Sequence, residues 1–523
     1  MSETSYDRVP YRSHSFPQTH PQRLATIAAL FGLTPPDIAV ARVLELGCAS
    51  GGNLLPIADQ YPNSAAMGID GSIRQIEQGH EIQNAVPLTN ATLSQLDIRQ
   101  FASSEPFDYI LCHGVYSWVP DDVQDAILNI IRSHLAPDGV AYVSYNTYPG
   151  WNMRGTIRDV MRFRAQSFED PREQLAQARG LLKFLSDSVR SDQNAYGILL
   201  KTELESISRA DDSYLIHEHL EDVNRPLYFF EFAQRLQQHS LQYLGEADYG
   251  IMSTQNFPPP IQSMLQSVAR NRIEVEQYMD FLRNRAFRQT LICHADRKLS
   301  IAPDPASLLG LRVASNAQSE SPQVDVKSSD KVIFRRRSSV LSTSEPVVKA
   351  AMVQLRSAWP RSIPFAELAA SARAAIAGRA IPVESTSLSP ATEDLARTLL
   401  RCFETGINDL IAIEAPFTVS VSELPLASPL ARVQARTESH VTNRRHERVS
   451  LDDIQRFVLL QLDGKTSVND IRDRVEQAVA SGRLVLFTPQ GERISSPDQL
   501  GLSTHGMVPS VLESLAMNSL LIS

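Results

Sequence analysis

The chain has 523 residues, 43% of them hydrophobic and 21% charged, a composition typical of a soluble globular protein with roughly three domains. Its formal net charge of −9 argues against a dedicated nucleic-acid binder, so no nucleic-acid partner is expected. No apolar run reaches the roughly 18 residues of a membrane span, and residues 1–21 lack the apolar segment of a signal peptide. The four widely spaced cysteines form no CxxC pair. This pattern predicts a reduced, cytoplasmic compartment and no metal site.

Residues before Arg23 are rich in Ser, Pro, His and Tyr, which predicts a loosely ordered arm on the surface, with a short helix over 21–31. The central motif follows at 43–53, with the sequence VLELGCASGGN. It reads as a buried strand, a glycine turn and the start of a helix. Glycines allow a ligand to approach the backbone closely, and a helix N-terminus offers free N–H groups. The motif therefore predicts the first unit of a nucleotide-binding α/β fold.

Four more strands are predicted, over 65–70, 87–93, 107–112 and 140–145. The second ends in Asp70, and the third is followed by Asp97 and Ile98. Between the last two lie an amphipathic helix over 123–134 and a turn over 135–139. This alternation predicts a parallel, doubly wound sheet.

Two nucleotide ligands are compatible with the glycine turn. Gly47, Ala49 and Gly52 match the dinucleotide pattern GxGxxG except for the alanine. An S-adenosylmethionine (SAM) site instead has an acid two residues before the first glycine, where this chain has Glu45. Asp70 is placed to bind ribose hydroxyls, and Asp97 to bind the adenine amino group. Three acids at the ends of three successive strands favour SAM over NAD.

The order of these residues resembles class I SAM-dependent methyltransferases, with Ala49 replacing the usual middle glycine. The resemblance implies a cofactor site formed by Glu45, Gly47, Ala49, Gly51, Asn53, Asp70, Asp97, Ile98 and His113. The loops at 113–120 and 144–151 resemble the subfamily that carries a "methyltransferase regulatory domain". That subfamily includes rickettsial protein-lysine methyltransferases acting on outer-membrane protein.

The methyl acceptor is expected above the carboxyl ends of the first, fourth and fifth strands. The candidate acceptor-site residues that follow the last two of these strands are His113, Tyr116, Trp118, Tyr145, Asn146, Tyr148 and Trp151. Aromatic rings could hold an alkylammonium, and His113 or a tyrosine could take its proton. The alternatives are that the aromatics anchor the loops in the core and that His113 is simply packed. The loop after the fourth strand lacks a [D/N]PP[Y/F] motif, so the acceptor atom stays open.

Amphipathic helices predicted over 154–168, 171–190 and 192–209 form a cap or dimerisation layer, with Met153, Met161 and Phe163 in its core. A homodimer through this region is predicted. The stretch His217-Glu218-His219 is interpreted as structural or substrate-lining, since its spacing does not suit a metal. Strands at 241–248 and 287–294 are expected to complete the catalytic sheet, with the helices between them as a lid.

The predicted fold class is α/β, a Rossmann-like methyltransferase domain with a mostly helical cap and a winged-helix-like C-terminal domain. The predicted units are a core (1–151), a cap (152–311), a linker (312–331), a middle α/β domain (332–430) and the C-terminal domain (431–523). The middle domain includes a strand over 411–424. The C-terminal domain has helices over 451–462 and 468–480 and a strand over 482–487, and is expected to contact protein.

The leading hypothesis is a SAM-dependent methyltransferase acting on lysines of a protein substrate. The alternatives are a small-molecule methyltransferase with regulatory domains and a SAM-binding interaction protein without turnover.

Overall fold

Seven strands form the central sheet. The computed structural model describes residues 5–9, 11–192, 194–485 and 497–523. The strands are β1 (Arg42–Leu46), β2 (Ala65–Asp70), β3 (Ala91–Gln95), β4 (Phe107–Cys112), β5 (Leu135–Asn146), β6 (Leu241–Glu246) and β7 (Phe287–His294). Their order is β3-β2-β1-β4-β5-β7-β6. The first five strands are parallel, and β7 runs antiparallel to both β5 and β6. The prediction that the last two strands complete the catalytic sheet is confirmed.

Two strands differ from their predicted bounds. The predicted turn over 135–139 is part of β5, because Leu135 pairs with Phe107 before the register shifts and Tyr109 pairs with Val140. Strand β3 begins four residues later than predicted, since the preceding helix runs to Ala85 and a short turn follows it. Neither change moves the carboxyl ends of β1 and β2, where Glu45, Asp70 and the glycine turn lie, and Asp97 still follows β3.

Helices cover both faces of the sheet. The first five are α1 (Ser5–Arg8), α2 (Pro21–Leu30), α3 (Leu54–Gln60), α4 (Ile73–Ala85) and α5 (Asp121–His134). Successive residues of β1 point to opposite faces, so Val43 packs in the core beneath α2 and α3 while Leu44 packs in the core beneath α5. Helix α5 has aspartates in its first turn and Arg132 and His134 in its last, which suits the helix dipole. The result is a three-layer α/β domain.

The cap after β5 is helical and has its own core. It consists of α6 (Gly150–Ala165), α7 (Pro171–Ser188), α8 (Ala195–Ile207), α9 (Asp212–Leu215) and a π-helical turn (Ile216–Leu220). Met161, Leu182 and Leu200 are buried in that core. The prediction that Phe163 and Met153 also belong to it is wrong, because their side chains are 77% and 45% exposed. The cap therefore presents apolar side chains outward.

Three helices accompany β6 and β7. They are α10 (Phe229–Gln238), α11 (Pro259–Val268) and α12 (Arg272–Arg283). Helix α10 buries Phe232 and Leu236 against the same sheet face as α5. This part of the chain thus belongs physically to the catalytic sheet.

The middle region is a small α/β unit. It comprises β8 (Arg312–Ala314), β9 (Gln318–Ser319), β10 (Val332–Arg336), β11 (Ser339–Thr343), α13 (Pro346–Ala358), β12 (Ile363–Pro364), α14 (Phe365–Ala377), α15 (Pro390–Thr405) and β13 (Asp409–Ile411). Its buried residues, such as Val313 and Phe403, share one continuous core with Leu24 and Ile27 of α2. The middle unit is therefore packed directly onto the catalytic domain.

Two predictions fail in the middle region. The predicted linker over 312–331 contains β8, which lies between β12 and β13 with Val313 fully buried. The strand predicted over 411–424 ends at Ile411, and the chain then passes Pro416, which has no N–H to give to a sheet. Alternation of apolar residues there reflects partial burial in a loop.

The C-terminal domain contains α16 (Pro429–Thr437), β14 (His440–Thr442), β15 (Arg448–Ser450), α17 (Asp453–Leu459), α18 (Val468–Ala480) and α19 (Pro497–Met517). The two predicted helices correspond to α17 and α18, and a separate apolar core holds the domain together. Of the strand predicted over 482–487, residues 486 and 487 lie outside the described residues, and residues 482–485 form a turn and not a strand. Within the described ranges, no helix is both long and apolar enough to cross a membrane.

Candidate functional site

The glycine turn after β1 has the backbone that its sequence predicts. Gly47 and Gly51 have φ angles of +75° and +76°, in the left-handed region that glycine tolerates best. Ala49 also lies there, with φ of +47°, and its N–H donates to Asp70 Oδ2 at 2.9 Å. The alanine thus takes a glycine-like conformation that a hydrogen bond holds. This explains how the chain departs from the usual glycine without losing the turn.

Glu45 is a buried carboxylate with one unpaired oxygen. Its Oε1 accepts a hydrogen bond of 2.7 Å from the Asn53 amide, whereas Oε2 has no hydrogen-bond partner among the described residues. Burial raises the pKa of Glu45 to about 8, against the opposing Asn53 hydrogen bond and with help from the negative charge of Asp70. A cation in the cleft beside Oε2 would relieve this desolvated group.

Asp70 and Asp97 lie on the wall of the same cleft. Asp70 accepts the backbone N–H groups of Ala49 and Ser72, so its carboxylate is fixed at the end of β2. Asp97 accepts the N–H of Arg99 and pairs with its guanidinium at 2.6 Å, which lowers the pKa of Asp97. Both carboxylates are therefore fixed in place by neighbouring groups.

The cleft has a volume of about 890 Å³. Of the nine predicted cofactor residues, eight line it, namely Glu45, Gly47, Ala49, Asn53, Asp70, Asp97, Ile98 and His113. Gly51 is not part of the lining, and a Cβ there would lie 2.9 Å from Leu55. Gly51 therefore contributes to the turn on the side that faces Leu55 of α3, away from the cleft.

The candidate acceptor residues divide into two groups. His113, Trp118 and Asn146 line the cleft. His113 Nδ1 lies 2.9 Å from the Tyr142 hydroxyl, and its ring packs 4.0 Å from that of Phe16. Burial, and secondarily the positive charge of His14, lowers the pKa of His113 to about 3. A histidine with this pKa stays neutral and is too weak a base to take a proton from an ammonium group.

The other four candidates lie outside the cleft lining. Tyr116 and Tyr145 are fully buried in the core around Phe232. Trp151 is 2% exposed and packs edge-to-face against Trp118, with ring centres 6.1 Å apart. Tyr148 is half-buried beside Tyr228. These aromatics pack in the core or against neighbouring rings, as the core alternative proposed, and Tyr145 does so because side chains along β5 alternate between the two faces of the sheet.

The N-terminal arm forms part of the cleft wall, contrary to the prediction of a loose surface arm. Tyr11, Ser13, Phe16 and Gln18 line the cleft. The arm crosses Gly52, whose N–H donates to Ser13 Oγ at 2.8 Å, and a Cβ at Gly52 would lie 2.4 Å from the Ser13 backbone. The second glycine of the Gly51-Gly52 pair was the only sequence signal for this crossing.

The cap supplies another part of the wall, through Arg154, Tyr214, His217 and Glu218. His217 contacts Glu221 and the carbonyl of Val9, and within the described residues no cluster of His, Cys, Asp and Glu side chains suits a metal ion. Burial raises the pKa of Glu218, with Arg154 at 3.5 Å opposing the shift. The substrate-lining interpretation of this stretch thus fits its position.

Three family models match separate parts of the chain. The "Methyltransferase domain" model matches residues 44–141, and the "Predicted methyltransferase regulatory domain" model matches residues 211–294. The model described as "PKMT, C-terminal winged helix domain" matches residues 423–520.

Similar proteins match along the whole chain. RP789 of Rickettsia prowazekii is 32% identical over 526 residues, covering 99% of this chain and 93% of RP789. The structure of PKMT2 from Rickettsia typhi in complex with AdoHcy is 32% identical, has a TM-score of 0.86 and covers 98% of this chain and 100% of the PKMT2 chain.

The chain belongs to the PKMT family of SAM-dependent methyltransferases. A shorter relative, RP028 of Rickettsia prowazekii, is 43% identical over 244 residues, which cover 46% of this methyltransferase and 98% of RP028. The cofactor is therefore SAM. The unpaired Oε2 of Glu45 fits it, because SAM carries positive charge on its sulfonium and amino groups.

Substitution of Gly47 by alanine should weaken SAM binding about tenfold or more. The new Cβ would lie 2.4 Å from Val115 Cγ2 at a φ of +75°, so overpacking of about 1–3 kcal/mol adds to left-handed strain. Isothermal titration with SAM measures the loss. Gly378→Ala is the matched control, because it has φ of +67° but no atom within 4 Å of its Cβ. Equal SAM affinity in the two variants would contradict this role for Gly47.

Proposed function

We propose that this methyltransferase transfers the methyl group of SAM to lysine side chains of a protein substrate. The main support is its end-to-end similarity to PKMT2, including the C-terminal domain that the PKMT family model describes. The cleft wall also combines residues of the catalytic sheet, the N-terminal arm and the cap. Such a composite wall suits a large acceptor better than a small metabolite.

The proposed cofactor site uses the acids at the strand ends. SAM supplies an electrophilic methyl group on its sulfonium, so the protein has mainly to align donor and acceptor. Glu45 binds the cationic methionine end, Asp70 the ribose hydroxyls and Asp97 the adenine amino group. Ile98 packs against the adenine, and the turn of Gly47, Ala49, Gly51 and Asn53 shapes the backbone around the ligand. Asp97 has to share its carboxylate with Arg99.

The proposed acceptor contacts are His113, Trp118 and Asn146. Trp118 is half-buried and lines the cleft, so its ring can pack against the alkyl chain of a lysine. Neutral His113 can only donate or accept a hydrogen bond there. Tyr116, Tyr145, Tyr148 and Trp151 hold these residues in place from behind.

Incubation of the purified protein with methyl-labelled SAM and a cell lysate, followed by size fractionation, tests the proposal. Label in protein, released as methyl-lysine on hydrolysis, supports it. Label only below the size cut-off supports a small-molecule methyltransferase, and SAM binding without any label supports a non-catalytic protein. Trp118→Ala should reduce protein labelling and leave SAM affinity unchanged.

The proposed units follow the predicted order, with a core over 1–151, a cap over 152–311 and a C-terminal domain over 431–523. Support comes from the matches at 44–141, 211–294 and 423–520. Since β8 starts at Arg312, we place the start of the middle unit there and retain no linker over 312–331. The middle unit then extends to residue 430.

A homodimer through the cap is also proposed. Phe163 of α6, Phe184 of α7 and Ile198 of α8 have side chains 77%, 64% and 56% exposed. Several large apolar side chains on one small helical layer are typical of an interaction surface. Phe163→Asp is expected to convert dimer to monomer in size-exclusion chromatography with light scattering. Met264→Asp, on equally exposed α11, is the control, and an unchanged mass for Phe163→Asp would contradict this interface.

A cytoplasmic location is proposed from the thiols. Cys48, Cys112, Cys293 and Cys402 are all free and buried. Burial raises the pKa of each thiol, which keeps it in the unreactive protonated form. Cell fractionation checks the location.

A further inference from the structure

A turn of the C-terminal domain contacts both ends of α3, the helix that follows the glycine turn. This C-terminal turn comprises residues 443–447, between β14 and β15. At the start of α3, His446 Nε2 lies 2.8 Å from Asn53 Oδ1. At its end, Arg444 pairs with Asp59 at 2.8 Å and donates to the backbone oxygens of Asp59 and Gln60. The C-terminal domain therefore holds an element of the cofactor site at two points.

The orientation of the Asn53 amide is determined by its neighbours. Its Oδ1 accepts the backbone N–H of Phe16 at 3.0 Å, and the Thr19 hydroxyl, which is also 2.9 Å from the Phe16 carbonyl, lies 3.0 Å from Oδ1. A backbone N–H can only donate, so this atom is the amide oxygen. The amide nitrogen consequently faces Glu45 and donates to Oε1 at 2.7 Å. Asn53 thus links the N–H donors of Phe16 and His446 on one side to the Glu45 carboxyl group on the other.

His446 is built into this arrangement as a neutral donor. Because Asn53 Oδ1 only accepts, His446 Nε2 must carry the hydrogen. Its Nδ1 has no hydrogen-bond partner among the described residues. Burial, with a contribution from His20, lowers the pKa of His446 well below its usual range, so the ring stays neutral and the donor is present across physiological pH. The backbone has a left-handed φ of +63°, and the N–H bonds to Asn443 O at 3.0 Å.

We propose that His446 is a positioning residue for SAM binding. By donating to Asn53, it fixes the amide that holds Glu45 Oε1, and this leaves Glu45 Oε2 directed at the cationic end of the cofactor. The C-terminal domain is then a structural part of the cofactor site, in addition to any contact with substrate. This inference concerns SAM affinity alone, so its test does not depend on which molecule accepts the methyl group.

Isothermal titration of the full-length protein with SAM and AdoHcy tests the proposal. His446→Ala and His446→Phe both remove the donor, and the phenylalanine keeps the ring volume if the alanine cavity impairs folding. We expect about a fivefold weaker Kd for SAM, the factor equivalent to one neutral hydrogen bond. His446→Gln, which retains an N–H donor, should restore most of the affinity. His440→Ala, in β14 of the same domain, is the matched control, because within the described residues the His440 ring forms a hydrogen bond with the neighbouring Ser439 hydroxyl and none with α3.

A double-mutant cycle with Asn53→Ala separates positioning from general loss of structure. If His446 acts through Asn53, its substitution should have no further effect on SAM affinity in the Asn53→Ala background. Hydrogen exchange of the cofactor-free protein should also show faster exchange over residues 47–60 in His446→Phe than in His440→Ala. Full SAM affinity in folded His446→Phe, or additive effects in the cycle, would overturn the proposal.

Discussion

Replacement of Glu45 by glutamine is expected to weaken SAM binding by about 2 kcal/mol, or about thirtyfold in Kd, the value of a hydrogen bond to a charged group. Glutamine keeps the length of the side chain and its contact with Asn53, but it cannot ionise, so the carboxylate that SAM binding would form is lost. Titration calorimetry with SAM measures the change. Glu77→Gln, an exposed acid of α4, is the control and should bind as wild type.

The same carboxyl should couple SAM binding to proton release. With its pKa raised to about 8, Glu45 is mostly protonated in the cofactor-free protein at pH 7. A bound cation favours the carboxylate, so binding at pH 7 should release close to one proton, and SAM affinity should rise with pH up to about 8. Calorimetry in buffers of different ionisation enthalpy counts this proton. Proton release that persists in Glu45→Gln would show that another group is responsible.

The folding stability of the cofactor-free protein should change with pH in the opposite direction to its SAM affinity. A carboxyl whose pKa is raised from 4.5 to about 8 by folding contributes stability at pH values below about 4.5, and this contribution is lost as the pH rises to about 8. The cofactor-free wild type should therefore lose stability over this range relative to Glu45→Gln. Thermal unfolding of both proteins at pH 5 and pH 9 measures the difference.

Local sequence patterns predict the site residues that lie at the ends of consecutive strands. Glu45, Asp70 and Asp97 each follow the rule that parallel strands place their carboxyl ends at one edge, and all three line the cleft. The aromatic loops were less predictable. Trp118 lies in the cleft and Trp151 behind it, yet Trp118 ends a short turn and Trp151 lies at the start of α6, where too few residues precede it for periodicity to distinguish a buried face from an exposed one.

The remaining site residues come from long-range contacts that no short pattern encodes. His446 reaches Asn53 across 393 positions of the chain, and the N-terminal arm reaches Gly52 through a serine hydroxyl. Each of these contacts depends on how whole units pack together. The composition of the N-terminal arm shows that it is polar. Polar residues occur both in loosely ordered arms and in arms that hydrogen-bond to the rest of the protein, so composition could not distinguish the two.

The largest stability effect is expected from Arg288, the centre of a buried ionic network on β7. Its guanidinium is fully buried and pairs with Glu246 at 2.7 Å, Asp280 at 2.8 Å and Glu276 at 3.1 Å. It also lies 3.7 Å from the centre of the Phe229 ring, and Arg285 adds a second cation to the cluster. Burial opposes ionisation of Glu246, but Arg285 and Arg288 outweigh it and lower the pKa of Glu246. The network joins β6, β7 and α12, so it ties α12 to the last two strands of the catalytic sheet.

Arg288→Met should destabilise this region by about 3–5 kcal/mol, because it leaves buried carboxylates without their main counter-charge. Arg297→Met is the control. Arg297 pairs with Asp138 and Asp296 at the surface, where water screens the charges, so its loss should leave stability nearly unchanged. Thermal unfolding and hydrogen exchange over β6 and β7 measure both changes. Equal effects of the two substitutions would contradict the role of the buried network.

The network should also affect the cleft, through the alternation of side chains along β7. Phe287 and Gln289 line the cleft, while Arg288 between them faces the opposite side, toward α12. Loss of the Arg288 ion pairs should therefore disturb the positions of Phe287 and Gln289 in the cleft as well as lower the stability of the fold. The stability loss of Arg288→Met should shrink as the pH falls from 8 to 5, because unpaired buried carboxylates have raised pKa values and protonation removes their charge. A loss independent of pH would mean that packing against Phe229, and not charge, is what Arg288 contributes.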